Sequence, residues 1–271
     1  METKSLTSLL EHSEYFAETF RLFCDRSARY REIQDWFAGS NLVEELATVG
    51  QAGPGSGTAA GEGELRILGV GSGSGETECI MLKQLLRRFP RIGNRVVEPD
   101  PEMVARYKAL VESQAHQLHG ARFDWRPQTI EQHEIAGDST RFHFISAVHS
   151  IYHFADEEKT LMHLYNSLQP GGILLLLLTA DSSGWWRFRT RYDWVMTIGR
   201  HSLTVSAEVR ALLSRHHIPF TSHHQPSLLD ITDCFDPSSQ EGGMLLDFLT
   251  HVFRFRERAP SGLVREVAEC L

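Results

Sequence analysis

The first fifty residues carry a helical pattern of apolar positions. Between residues 13 and 37, apolar side chains recur at near-helical spacing among charged ones: Tyr15, Phe16, Phe20, Phe23, Ile33 and Phe37. A stripe of this kind is typical of amphipathic helices. We therefore predict one or two helices here, within a helical cap over residues 1–50.

After residue 64 the pattern changes to apolar runs that alternate with helical stretches. The runs predict strands at 65–70, 95–97, 122–126, 142–148 and 173–178. The intervening patterns predict helices at 77–88, 101–114 and 156–167. Alternation of this kind is typical of βαβ units, which place parallel strands in one sheet. We predict an α/β fold with a Rossmann-like sheet, in which the most apolar run, 173–178, is a buried strand.

Composition divides the chain further. Residues 51–64 are almost all Gly, Ala, Ser, Thr and Glu with one Pro. Such a segment buries too little apolar surface to order itself, so we predict a flexible linker. We expect a single domain over residues 1–271, with the cap and linker followed by a core at 65–180 and a smaller lobe with the C-terminal part at 181–271.

The charge balance and the cysteines exclude several classes of protein. The 27 Lys and Arg residues are scattered and are outnumbered by 35 Asp and Glu, so nucleic acid is not an expected partner. The four cysteines stand far apart without CxxC spacing, which fits neither a zinc site nor a disulfide scaffold. The first residues do not have the pattern of a signal peptide and the most apolar run is too short to span a bilayer, so we expect neither feature. We expect a cytoplasmic monomer with no metal and no membrane association.

A glycine-rich turn follows the first predicted strand and opens a helix, with the sequence LGVGSGSGE over residues 68–76. The glycines let the backbone turn tightly and approach a ligand. The dinucleotide fingerprint GxGxxG fails because Ser74 or Glu76 stands at its last glycine, and the P-loop lysine is absent, so NAD and ATP are disfavoured. The acidic turn suits the ammonium group of a methionine moiety instead. The alternative is a glycine-rich loop that binds nothing.

Two further motifs follow in order. Glu98 ends the next strand a little over twenty residues beyond the turn, where a carboxylate accepts hydrogen bonds from both ribose hydroxyls; a solvated loop carboxylate is the alternative. Residues 165–173 then end a helix, turn on Pro170 and two glycines, and enter the most apolar strand. The ordered set resembles class I methyltransferases, which implies S-adenosylmethionine as the cofactor.

Several rare strings make the resemblance closer. VVEP at 96–99 with Tyr107 and Lys108, DSSGW at 181–185, DITDCF at 230–235 and DFLT at 247–250 resemble the histamine N-methyltransferase family, including its carnosine-methylating branch. The resemblance runs from Ser8 to Pro260 and implies methyl transfer to the imidazole nitrogen of a small molecule such as histamine or a histidine dipeptide. A non-catalytic S-adenosylmethionine- or amine-binding pseudoenzyme is the alternative, and a nucleotide-dependent oxidoreductase is disfavoured.

Carried over position by position, the resemblance implies five cofactor-binding residues: Gly71, Glu98, Met103, Ile130 and Val148. Met103 and Ile130 are departures, because the family has a polar Gln and a Ser at these positions. Apolar side chains there still pack on an adenine but remove hydrogen bonds. We therefore expect a lower affinity for the cofactor.

The resemblance also implies an aromatic pocket suited to a flat imidazole, lined by Tyr15, Phe20, Arg29, His149, Tyr152, His153, Trp185 and Phe248. His149 and Tyr152 follow the end of a predicted strand, where α/β enzymes place ligands, and they are the candidate catalytic residues. His149 would orient the substrate ring or receive its proton. The alternatives are a packed core histidine at 149 and ordinary packing by the Tyr and Phe side chains of the first helices.

Arg29 carries the opposite charge to the residue that the family resemblance implies at this position. The histamine enzymes place a Glu at this position to receive the substrate ammonium, whereas an Arg repels it and attracts a carboxylate. The reversal favours a carboxylate-bearing imidazole such as carnosine over histamine. Glu32, one helical turn further on, is the alternative source of a negative charge.

The end of the chain lacks an expected strand. Class I methyltransferase sheets finish with an antiparallel strand, but after Ile231 the sequence has a helical pattern through Phe253 and another over 263–271. We expect the closing strand to be missing, so that a sheet edge stays uncovered. Weak cofactor binding and poor turnover would follow, as in a truncated or variant product.

Overall fold

A computed structural model describes residues 6–49, 63–199 and 204–271. The chain forms two compact units. We call Ile33–Leu178 the sheet unit, and Met1–Glu32 together with Thr179–Leu271 the helical unit. The linker predicted over 51–64 lies outside the described residues, except for its last two positions.

Three helices precede the sheet: α1 (Ser13–Arg26), α2 (Arg29–Gly39) and α3 (Leu42–Thr48). The helices predicted over residues 13–37 are confirmed by α1 and α2. The end of α2 and α3 bury their apolar faces in the core of the sheet unit, where Phe37 and Leu46 are almost fully buried. Part of the predicted cap thus packs with the sheet.

The sheet unit contains five parallel strands in the order β3-β2-β1-β4-β5. The strands are β1 (Leu65–Val70), β2 (Ile92–Val97), β3 (Ala121–Arg126), β4 (Phe142–Val148) and β5 (Leu168–Leu177). The helices between them are α4 (Glu76–Leu86), α5 (Pro101–Ser113), α6 (Ile130–Ile135) and α7 (Glu157–Asn166). The predicted α/β architecture is confirmed, and the crossover after β3 brings β4 beside β1.

Local chemistry sets the starts of the crossover helices. Asp100 accepts hydrogen bonds from the first amides of α5, and Pro101 occupies its first position, where a missing N–H costs nothing. Thr129 and Gln132 form a reciprocal capping box at α6. Each cap satisfies amides that have no partner within the helix, so each helix begins only four positions after the last residue of its strand.

Alternate residues of the strands face two apolar clusters. Ile67 and Phe144 belong to the cluster on one face of the sheet, and Leu68 and Ile145 to the cluster on the other. Burial on both faces is typical of central strands in a parallel sheet. For this reason adjacent positions of β1 and β4 are both apolar, as at Ile67 with Leu68 and at Phe144 with Ile145.

The last strand departs from the prediction. β5 pairs with β4 alone, and its apolar residues from Ile173 to Leu177 are half-buried, so the expectation of a buried strand is wrong. An edge strand has a neighbour on one side only, which leaves its side chains less covered than its leucine content suggests. No antiparallel strand joins the sheet within residues 6–49, 63–199 and 204–271.

The helical unit has its own core. After β5 the helices are α8 (Gly184–Arg191), α9 (Asp193–Gly199), α10 (Ser206–Arg215), α11 (Gln240–Thr250), α12 (Phe255–Arg258) and α13 (Ser261–Cys270). Antiparallel bridges join Ser8 to Val252 and Ser27 to Leu229, which ties the N-terminal segment to the C-terminal part of the chain. None of the helices in the described ranges is long and apolar enough to cross a membrane.

Candidate functional site

The glycine-rich turn lies between β1 and α4 and leaves no room for side chains at two positions. Gly71, Gly73 and Gly75 all have positive φ, at 62°, 55° and 86°, a conformation that glycine adopts without strain. A Cβ at Gly71 would lie 2.5 Å from the Ser150 Cβ, and one at Gly75 would overlap the Tyr107 ring. The turn therefore requires glycine for both its backbone angles and its packing.

Glu98 lies against this turn. Its side chain is 7% exposed. One carboxylate oxygen accepts a hydrogen bond from the Gly73 amide at 2.8 Å, and the other accepts one from the Asp100 amide at 3.0 Å. The Gly71 amide donates to the carbonyl of Val97 at 2.8 Å. Two motifs that are 25 residues apart in the sequence thus form one site at the carboxyl edge of the sheet.

The turn and Glu98 together fit a nucleoside that carries an ammonium group. A Cβ at Gly73 would meet no atom within 4 Å, so one side of the turn is open to a ligand. Glu98 retains lone pairs for ribose hydroxyls. Glu76, at the start of α4, adds a second carboxylate near the turn. This negative charge disfavours phosphates and favours an amino-acid ammonium group.

The other residues predicted to bind the cofactor lie in the same unit. Met103 is half-buried in the first turn of α5, and Val148 is the last residue of β4. Ile130 is 4% exposed and packs with Val70 and Val97 in an apolar cluster. The five predicted positions thus cluster around the carboxyl ends of β1, β2 and β4, the usual ligand-binding edge of a parallel sheet.

The segment after β4 has a strained backbone. His149 has a φ of 53°, which is unusual for a residue with a side chain. Its amide donates to the Leu177 carbonyl at 2.8 Å, and the Ser150 hydroxyl donates to the Val70 carbonyl at 2.8 Å. Tyr152 and His153 follow in a short 3-10 helix with their ring centroids 4.6 Å apart. Strain of this kind concentrates at functional sites.

In the helical unit, aromatic rings that lie far apart in the sequence form a cluster around Phe248. The rings of Phe20 and Trp185 lie 5.8 and 6.0 Å from its centroid. Phe23 stacks on Phe248 at 4.5 Å, and Phe16 lies at 6.2 Å. Three of the predicted substrate residues therefore share one aromatic surface, which we call the aromatic cluster.

Tyr15 is positioned by a buried carboxyl group, Asp247, which the sequence shows only as part of the DFLT string and not as a site residue. Its hydroxyl donates to Asp247 at 2.8 Å. Asp247 is 2% exposed and also accepts from the amides of Phe255 at 2.7 Å and Arg254 at 3.0 Å. Burial raises the pKa of Asp247 to about 6, although these three donors oppose the rise. Burial and the Asp247 carboxylate also raise the pKa of Tyr15.

Two charged side chains stand at the start of α2. The Arg29 guanidinium donates to the Cys24 sulfur at 4.0 Å and lies 5.3 Å from the Tyr30 ring centroid. One carboxylate oxygen of Glu32 accepts from the Leu228 amide at 3.2 Å. The Arg29 Nε and the Glu32 Oε2 are buried and make no hydrogen bond within the described part of the chain.

The candidate residues divide between the two units. The cofactor set, with His149, Tyr152 and His153, lies in the sheet unit, whereas Tyr15, Phe20, Arg29, Trp185 and Phe248 lie in the helical unit. Sequence reasoning missed Glu78, Ser150 and Asp247. Glu78 does leave a signal, because it shares the buried face of α4 with Leu82 and Leu85 at a spacing of four and seven residues.

Comparisons with known proteins agree with these motifs. A methyltransferase domain family model matches residues 15–225. The histamine N-methyltransferase of Danio rerio is 31% identical over 97% of this chain and 89% of its own length. Carnosine N-methyltransferase 2 of Gallus gallus is 32% identical over 96% of this chain and 79% of its own length.

A solved structure confirms the fold. The plantazolicin methyltransferase BpumL, in complex with S-adenosylhomocysteine (SAH), superposes with a TM-score of 0.50 at 14% identity, over 93% of this chain and 84% of that one. The likeness shows a class I methyltransferase fold. Since the family model covers most of the chain and full-length relatives exceed 30% identity, the chain belongs to the histamine N-methyltransferase family of S-adenosylmethionine-dependent methyltransferases.

Proposed function

We propose that this protein transfers a methyl group from S-adenosylmethionine to an imidazole ring nitrogen of histamine or of a histidine dipeptide such as carnosine. Relatives named for both acceptors are similarly close, at 31% and 32% identity. The observation that carries the proposal is the aromatic cluster around Phe248. Flat aromatic walls suit a planar imidazole and exclude water from it.

The proposed reaction depends mainly on positioning. S-adenosylmethionine, when bound, supplies an electrophilic methyl group on a sulfonium. Gly71, Glu98, Met103, Ile130 and Val148 would hold it. A neutral imidazole already has a nucleophilic nitrogen lone pair, so these residues and the aromatic cluster contribute by orienting the two reactants, an effect that can supply several kcal/mol.

One proton must leave after transfer. Attack by one ring nitrogen gives a methylated imidazolium, which becomes neutral when the other ring nitrogen loses its proton. We propose that His149 receives this proton and that Tyr152 orients the ring. The positions of both residues just beyond β4 support this assignment.

The charges at the start of α2 favour a dipeptide over histamine. Histamine carries only an ammonium group, whereas a histidine dipeptide also carries a carboxylate. The buried, unpaired Nε of Arg29 is a donor for such a carboxylate, and the unpaired Oε2 of Glu32 is an acceptor for an ammonium group. A zwitterionic acceptor satisfies both groups, which supports carnosine-like acceptors as the preferred class.

A methyl-transfer screen tests the proposed function. The purified protein is incubated with methyl-labelled S-adenosylmethionine and a panel of histamine, carnosine, related histidine dipeptides, and amines without imidazole. Nuclear magnetic resonance of the products then locates the methyl group. Transfer to an imidazole nitrogen supports the proposal. Transfer only to amines without imidazole contradicts it, and cofactor binding without transfer to any acceptor would identify a non-catalytic binding protein.

Charge reversal at Arg29 tests the preferred acceptor. We expect R29E to lower kcat/KM for carnosine by about tenfold, the usual scale of a lost charge-assisted hydrogen bond, and to improve histamine methylation. The matched control is R31E, because Arg31 is exposed on the same helix. Efficient histamine methylation by the unmodified protein, with no gain in R29E, would show that Arg29 does not select the acceptor.

A further inference from the structure

A buried polar cluster, formed by Glu78, Asn94 and Tyr107, packs beneath the glycine-rich turn. Glu78 on α4 is 4% exposed and accepts a hydrogen bond from the Asn94 side-chain amide at 2.7 Å. A Cβ at Gly69 would overlap both carboxyl oxygens of Glu78. The backbone leading into the turn therefore rests directly on this carboxyl group.

The same cluster supports the far end of the turn. The Tyr107 ring fills the space where Gly75 would carry a side chain, and Tyr107 is fully buried. Ser72, within the turn, and Asn94 also interact with the Glu78 carboxyl group. The buried cluster thus lies against both ends of the turn that contains Gly71 and Gly73. Glu78 lies against Gly69 at one end, and Tyr107 lies against Gly75 at the other.

Three buried oxygens of the cluster have spare acceptor capacity: the Ser72 hydroxyl, the Asn94 Oδ1 and the Tyr107 hydroxyl, none of which makes a hydrogen bond of ordinary length and angle among the described residues. The two hydroxyls can also donate, and both Ser72 and Asn94 face the Glu78 carboxyl group. A protonated Glu78 carboxyl group supplies an O–H donor, whereas an ionised one supplies none.

The surroundings also disfavour a negative charge on Glu78. The groups that face it from the turn, β2 and α5 are Ser72, Asn94 and Tyr107, and none of them is a cation. On α4 itself, Cys79 is neutral because burial raises its pKa to about 12, and the helix carries two further charged residues, Glu76 and Lys83. Burial without a cationic partner raises the pKa of Glu78 to about 7, although hydrogen bonds from Ser72 and Asn94 oppose the rise.

We propose that Glu78 is a positioning residue for the cofactor-binding turn, that it holds the turn in its protonated form, and that its ionisation loosens the turn and weakens cofactor binding. The proposal rests on the assignment of the turn to the cofactor. The sign follows from linkage: the closed turn binds the proton more tightly than a loosened, hydrated one, so binding weakens as pH rises through 7.

Cofactor affinity measured against pH tests the proposal. The dissociation constant of SAH is measured by calorimetry at pH 6 and pH 8. With one ionisation at about 7, the protonated fraction falls about tenfold over this interval, and the affinity should fall by the same factor. We expect E78Q, whose amide both accepts and donates, to match the unmodified protein at pH 6 within twofold and to lose the pH dependence. E112Q is the matched control, because Glu112 is exposed on α5.

A second measurement uses the ligand-free protein. The amide resonances of Gly69 and Gly75 should follow one titration near pH 7 in the unmodified protein and in E112Q, and should show none in E78Q. An unchanged pH dependence of affinity in E78Q, or the absence of the glycine titration in the unmodified protein, would overturn the proposal. A protein that titrates in this way but binds no SAH would contradict the cofactor assignment alone.

Discussion

Glu78 in the sheet unit and Asp247 in the helical unit are both buried carboxyl groups, but their surroundings differ. In the helical unit, Asp247 accepts hydrogen bonds from the Tyr15 hydroxyl and from two backbone amides. In the sheet unit, Glu78 accepts a hydrogen bond from the Asn94 side chain, the Ser72 hydroxyl also faces it, and no backbone amide donates to it within the described residues. Burial raises the pKa of both groups, of Asp247 to about 6 and of Glu78 to about 7.

The difference shows how the neighbours of a buried carboxyl group decide its role. Donors around Asp247 stabilise its charged form and fix Tyr15 in place. Around Glu78, burial without a cation outweighs the hydrogen bonds from Ser72 and Asn94 and favours the protonated form, so that its charge state is coupled to the turn above it. Two carboxyl groups that are buried to a similar extent therefore differ in role. Asp247 fixes the position of Tyr15, whereas Glu78 supports the glycine-rich turn in a way that depends on its protonation.

The largest expected effect concerns the lack of space in the turn of the sheet unit. G75A should destabilise the protein by about 4 kcal/mol, because it combines left-handed strain with overlap of the Tyr107 ring. G73A should cost about 1 kcal/mol, because the same strain arises in open space. Urea unfolding followed by circular dichroism measures both. Equal losses would show that Tyr107 does not restrict the turn.

The second-largest expected effect is on the pH dependence of the free energy of unfolding, to which both buried carboxyl groups contribute. Each has a higher pKa in the folded state than its ordinary value, so each contributes stability at low pH that is lost as pH rises through the folded pKa. E78Q should remove a loss on the order of 3 kcal/mol between pH 4.5 and 7. D247N should remove a loss of similar order between pH 3.8 and 6.

These two pH ranges are tested by measuring the free energy of unfolding of the unmodified protein, E78Q and D247N from pH 4 to pH 8. The two variants should differ most between pH 6 and 7, where Glu78 is the only one of the two carboxyl groups that still titrates. Identical pH profiles for E78Q and the unmodified protein would show that the ionisation of Glu78 does not contribute to the pH dependence of stability.

A smaller effect tests whether the sheet unit binds the cofactor. E98A removes the acceptor for the ribose hydroxyls and should weaken SAH binding by about a hundredfold, or about 2.7 kcal/mol. Thermal stabilisation by SAH should largely disappear. E102A is the matched control, since Glu102 is exposed on α5. Retained stabilisation in E98A would show that the cofactor binds elsewhere.

The smallest effect tests whether the helical unit binds the acceptor. F248L removes the central ring of the aromatic cluster and should raise KM for the imidazole acceptor by about tenfold, with SAH affinity changed less than twofold. F235L is the control, because Phe235 is exposed in the same unit. Weaker SAH binding together with an unchanged acceptor KM would reverse the roles that we propose for the two units.

Much of the sheet unit was predictable because its signals are local. The boundaries of β1 and β4 match the apolar runs to the residue, at Leu65–Val70 and Phe142–Val148. The glycine turn and Glu98 were recognisable as motifs, since a ligand-binding turn needs glycine at positions of positive φ. Helix α6 escaped prediction because it is only six residues long, too short to display a helical period.

The sequence by itself determined the alternation of strands and helices, the turn that opens α4, and the family resemblance, because each depends on neighbouring residues or short strings. Only the tertiary structure decided that β5 lies at the sheet edge, that Tyr15 meets Asp247 across 232 positions, and that Glu78 lies beneath Gly69. Burial and hydrogen bonding of these side chains come from contacts between distant segments, and the periodicity of a sequence carries no information about which distant segments meet.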